Sequence, residues 1–154
     1  MISLQHVHPV LVHFPIVFFL TLAAFDMVAA FRGKAVTGRS SAANASTGLA
    51  LLAGLSAIVT YFFGDLALTI AENGGFSSEI AEIHESLGMA TATAFVIWAA
   101  VRAFLWWRDI RLSGRLAAAV PALEFLGAAL VMTTAYYGGQ LVYELGVNVA
   151  HAAG

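Results

Sequence analysis

Read for its hydrophobic and polar positions, the chain divides into four long apolar runs separated by short polar stretches. A helix that crosses a bilayer needs about 20 predominantly apolar residues. Four segments qualify: 9–31, 46–68, 84–107 and 116–147, the last interrupted near its start by Pro121 and Glu124. Between the second and third, residues 69–83 are acidic and contain glycine, and Ile70, Phe76, Ile80 and Ile83 predict a short helix lying at the surface. Short first-to-second and third-to-fourth connections make those helices antiparallel neighbours. The pattern therefore predicts an all-α, polytopic membrane protein, an up-down-up-down bundle of four transmembrane helices forming one domain over 1–154. Gly48, Gly54, Gly88, Gly127, Gly138, Gly139 and Gly146 fall on these helices, where small residues let backbones approach closely.

Composition agrees. Of 154 residues, 60% are hydrophobic and 10% charged, and the mean hydropathy is +0.86; soluble domains carry about a quarter charged residues. With no cysteine, disulfides, thiolate metal sites and covalently attached haem are excluded. No basic surface exists to track nucleic acid. Residues 1–12 lack the Lys and Arg of a signal-peptide n-region, so the first apolar run is expected to stay as a span.

Charge then orients the bundle. The net charge of −2 hides a segregation: all seven basic residues lie in or beside 32–40 and 102–115. The five histidines, His6, His8, His13, His84 and His151, sit at the opposite ends of the segments. Because loop Lys and Arg mark the inner side, both termini are expected outside. Trp106 and Trp107 beside Arg108 fit an inner aromatic belt.

The candidate chemistry gathers at the histidine end. His8-Pro9 starts the first helix, and Pro15, falling inside it, frees the carbonyl of Leu11 and bends the chain. His8 and His13 are five apart, roughly 140° around a helix, so one metal cannot take both from a regular helix. An ionisable group inside a span is a functional candidate by default, which singles out His13. His84 opens the third helix, diagonal to the first. Two imidazoles from diagonal helices can fill both axial positions of a haem, with His13 and His84 as the expected ligands and His8 in reserve. Gly88, a turn beyond His84, would leave room for the ring, as would the pair Gly138–Gly139. Gln140 and Tyr143 could bond haem propionates, a quinone or a metal ligand; an interfacial tyrosine belt is the plainer reading of Tyr143. His6 and His151, near the termini, are expected to be solvated. Deep on the other side, Arg102 is expected to pair with Asp26 or Glu124.

The run HPVLVHFPI, Asp26 in the same helix, the third-helix histidine and the terminal GGQLVYELGVNV resemble a family of bacterial four-helix membrane proteins of unknown function, over nearly the whole chain. The resemblance picks out His8, Pro9, His13, Pro15, His84, Gly138, Gly139, Tyr143 and Gly146. Relatives joined to Rieske-type or c-type cytochrome domains imply residence beside periplasmic electron transfer, in the bacterial inner membrane with both termini periplasmic.

Three functions follow as expectations. The first is a b-type haem protein transferring electrons at the periplasmic side, its haem between the first and third helices. The second is a non-catalytic small subunit of a respiratory or photosynthetic membrane complex. The third is a zinc, copper or iron site built from His8, His13, His84 and a carboxylate such as Glu85. Membrane lipid, a periplasmic redox partner or larger complex, and a homo-oligomer are the partners considered. No nucleophile supported by a base is discernible, so turnover is not indicated.

Overall fold

The computed structural model describes residues 7–147. Its helices are α1 (His8–Leu11), α2 (His13–Phe31), α3 (Ser41–Asn73), α4 (Glu79–Trp107) and α5 (Gly114–Tyr143), with no strand among the described residues. Taking α1 and α2 as one broken span, four helices are long and apolar enough to cross a membrane. They close into a ring in which α2 packs on α3, α3 on α4, α4 on α5 and α5 on α2, leaving α2 opposite α4 and α3 opposite α5. This is the up-down-up-down bundle, with antiparallel neighbours throughout.

The first span breaks at Val12 for the expected reason. Pro15 has no N–H to give the Leu11 carbonyl, and the Thr60 hydroxyl of α3 takes its place at 3.1 Å. Pro121, by contrast, sits inside an unbroken α5. Residues 69–83 form no separate surface helix. Nothing in 69–73 stops α3, which runs to Asn73, and Gly74–Gly75 turns the chain, Gly75 at φ +87°. Glu79 and Glu82 then occupy the first turn of α4, where the helix dipole favours carboxylates. α3 also starts earlier than expected, at Ser41, because Ser40 Oγ accepts the Ala43 N–H as an N-cap. The last helix stops at Tyr143, short of 147.

Leu, Phe and Trp side chains on the outer surface of the ring are exposed, as lipid contact requires, while small residues let the helices close: Ala43, Ala50, Ala53 and Ala57 of α3 are all buried. A Cβ on Gly54 would stand 2.9 Å from Ala99 Cβ, and one on Gly127 2.5 Å from Phe19 Cζ. At the centre Phe19 and Phe95 stack across the bundle, centroids 3.8 Å apart and planes 6° from parallel. At the basic end Arg39 ties both loops together. It donates to the carbonyls of Trp106 (3.1 Å) and Trp107 (2.8 Å) at the end of α4, while its backbone N–H bonds Asp109.

The two hairpins repeat one another. His8, Leu11, Phe19 and Asp26 of the first span correspond to His84, Leu87, Phe95 and Arg102 of α4, each pair 76 positions apart. Thr60-Tyr61-Phe62-Phe63-Gly64 of α3 corresponds to Thr134-Ala135-Tyr136-Tyr137-Gly138 of α5. Facing pairs then meet on the bundle's long axis: imidazole with imidazole, phenyl with phenyl, carboxylate with guanidinium. Such matching describes two parallel repeats about an axis along the membrane normal.

Candidate functional site

The imidazole that faces His84 is His8, not His13. The His8 and His84 ring centroids are 6.3 Å apart with planes at 74°. His13 is exposed, its Nδ1 3.3 Å from the Val10 carbonyl. The buried stripe of the first span explains this. Pro15, Phe19, Leu22, Asp26 and Ala29 are buried at alternating steps of four and three. Seven residues before Pro15, the stripe continues at His8; His13 falls off it.

Each imidazole is held in the same way. His8 Nδ1 lies 3.0 Å from the Thr60 carbonyl and His84 Nδ1 3.0 Å from the Thr134 carbonyl. A carbonyl only accepts, so each Nδ1 carries the hydrogen and each Nε2 keeps a lone pair. A Cβ on Gly64 or on Gly138 would stand 2.8 Å from the Cε1 of His8 or His84, respectively. One turn beyond each threonine, a glycine thus makes the slot in which the ring lies. The threonine hydroxyls join in: Thr60 Oγ1 donates to Leu11, while Thr134 Oγ1 pairs with Thr91 at 2.8 Å and reaches the Leu87 carbonyl at 3.4 Å.

Both rings line a cavity of about 450 Å³ at the histidine end of the bundle. Its deep wall of Ile16, Ala57, Ala92 and Val131 is apolar, and its rim carries His13, Tyr61, Asp65, Glu85 and Tyr143. Gly88 and Gly139 border open space: a Cβ on Gly139 meets nothing within 4 Å, and one on Gly88 only Tyr61 at 4.0 Å. Gln140 lies elsewhere, beside Glu144 at 3.4 Å. Tyr143 is 89% exposed, as an interfacial tyrosine would be. Among the described residues no third His, Asp or Glu joins the pair in an arrangement able to hold a bare metal ion. His6 and His151 lie outside the described residues.

Of the residues the sequence singles out, His8, His13, His84, Gly88, Gly138, Gly139 and Tyr143 line this cavity, but the first-helix histidine that faces His84 is His8, not His13. Thr60, Gly64 and Thr134 also belong to it and are not singled out by the sequence motifs. Two signals would have found them: the stripe 8-15-19-22-26, matched by 84-91-95-98-102, and the twice-occurring Thr, aromatic pair and Gly.

At the other end of the axis lies a buried charge cluster. Arg102 Nη1 donates to Asp26 at 2.7 Å and Glu124 at 3.0 Å, and its Nη2 to the Val36 carbonyl at 2.6 Å. Ser46 bonds Asp26, and Trp98 Nε1 donates to Glu124 at 3.1 Å. Arg102 therefore pairs with both expected carboxylates, not one, because they approach its guanidinium from two different helices.

Compared with known proteins, residues 5–151 match the family model DUF2231, a predicted membrane protein. The chain belongs to that family. No curated protein and no solved structure matches it.

Proposed function

We propose that this DUF2231 member is a b-type haem-binding membrane protein acting in electron transfer, with His8 and His84 as axial ligands. The observation that carries the reading is the pair of imidazoles on the bundle axis, each fixed by its Nδ1 on a backbone carbonyl. Ligating histidines almost always donate the other ring N–H to a carbonyl or carboxylate, which sets tautomer and orientation. With metal–imidazole bonds of about 2 Å and roughly 1 Å from nitrogen to ring centre, two opposed ligands place their centroids about 6 Å apart. The 6.3 Å separation of the centroids fits that span, so His8 and His84 would be the residues to hold the metal between them.

Two imidazoles with no third ligand among the described residues favour a macrocyclic metal over a bare ion, because the macrocycle supplies its own four nitrogens. The cavity, about 450 Å³, lies within the roughly 300–1,000 Å³ of cofactor sites. Haem would supply a one-electron couple. The protein's part is to fix the two imidazoles by their Nδ1 atoms, to keep water away with the apolar wall of Ile16, Ala57, Ala92 and Val131, and to leave ring space at Gly88 and Gly139. Basic residues gathered at the far end support the bacterial inner membrane with termini and site on the periplasmic side. From there the site would exchange electrons with a periplasmic protein or a larger membrane complex.

The test is the visible spectrum of detergent-purified protein made with ample haem. A Soret band, a sharp reduced α-band and one haem per chain are expected; a colourless protein overturns the proposal.

A further inference from the structure

We propose that the Asp26–Arg102–Glu124 cluster is a proton-binding site, in which one proton is shared between the Asp26 and Glu124 carboxyls. The inference is independent of the haem reading. Three observations carry it. First, Asp26 and Glu124 are 0% exposed and Arg102 1%, inside a bundle built for a bilayer, so two ionised carboxylates against one guanidinium would leave a net negative charge in the apolar interior. Second, one nitrogen, Arg102 Nη1, serves both carboxyls at once, and Glu124 Oε2 is buried with no hydrogen-bond partner among the described residues. Third, because Asp26 Oδ2 lies 2.7 Å and Glu124 Oε1 3.0 Å from the same Arg102 nitrogen, the two carboxyls are held close together in the apolar interior. Two carboxylates so close repel, and one proton held by the pair removes the repulsion, as in other carboxyl pairs that share one proton.

Among the described residues the surroundings provide no other compensating charge. From α2 comes Asp26, from α3 the Ser46 hydroxyl, from α4 Arg102 and the Trp98 indole N–H, from α5 Glu124, and from the connecting loop the Val36 carbonyl. Arg102 is the one cation these contacts bring to the cluster, and with one proton added the cluster is neutral. The repeat explains why the site exists: the axis that pairs like with like at His8–His84 and Phe19–Phe95 pairs Asp26 with Arg102. Glu124 on α5 has Ala50 as its counterpart on α3, so the second carboxylate has no matching cation.

Infrared spectroscopy of the full chain in detergent at neutral pH tests this. A protonated-carboxyl C=O stretch that shifts in D2O is expected in the wild type. It should vanish in Glu124→Gln and in Asp26→Asn, since either variant leaves a single carboxylate facing Arg102. The two variants serve as alternates if one fails to fold. Absence of the band from the wild type, or its survival in either folded variant, overturns the proposal.

Discussion

The two glycine slots give the sharpest quantitative prediction about the histidine pair. In Gly138→Ala the new Cβ stands 2.8 Å from His84 Cε1, and the ring must retreat about 0.6 Å to reach ordinary contact at 3.4 Å. Retreat strains the 3.0 Å bond from Nδ1 to the Thr134 carbonyl. Losing that bond costs about 1 kcal/mol, and overpacking adds about 1–3 kcal/mol. Replacing a helical glycine by alanine returns up to about 1 kcal/mol. A net destabilisation of about 1–3 kcal/mol results, and Gly64→Ala should match it, because its Cβ meets His8 at the same 2.8 Å. Gly139→Ala is the control for stability alone: nothing lies within 4 Å of its Cβ, so only the propensity gain enters the unfolding free energy. Equilibrium unfolding of the four proteins in detergent measures the differences, and haem titration reads the same displacement as weaker binding, tenfold for each 1.4 kcal/mol. If Gly64→Ala and Gly138→Ala are as stable as Gly139→Ala and bind haem as tightly as the wild type, the rings are not seated where the account places them.

Other expectations follow from neighbouring contacts. Thr60→Val keeps the shape but orphans the Leu11 carbonyl freed by Pro15, and should lower unfolding stability by about 1–3 kcal/mol; a smaller loss than in the exposed Thr133→Val would contradict the role given to Thr60. Arg102→Met strands two buried carboxyls and should cost about 3–5 kcal/mol, read as loss of monodisperse protein on gel filtration; wild-type behaviour would show that the cluster is not desolvated. In a chain with no cysteine of its own, an impermeant thiol reagent added to intact cells should label Asn73→Cys, and should label Lys34→Cys only after the cells are opened. The reverse pattern would invert the proposed orientation.

The four spans were legible because bilayer crossing is a property of length and apolarity, both written plainly in the sequence. The Leu11 carbonyl and the Arg102 pairing were legible too, since a proline's missing N–H and a buried charge each demand a partner. Helix ends at 41 and 73 were not, because they depend on the Ser40 cap and on the absence of any breaker before Gly74, which a hydropathy window averages away. That His8 rather than His13 faces His84 has a geometric reason. Depth in the span singles out His13, whereas direction around the helix decides which ring faces inward. The register of Pro15, Phe19, Leu22 and Asp26 holds that direction, and the same register in the second hairpin repeats it at His84.

Ligand identity tests the central claim most directly. Haem-supplied wild type and the variants His8→Ala, His84→Ala and His13→Ala should be purified in parallel and their reduced spectra compared. Wild type and His13→Ala are predicted to give the same sharp α-band at one haem per chain, and His8→Ala and His84→Ala to lose it. Loss of the band in His13→Ala with retention in His8→Ala would contradict the account.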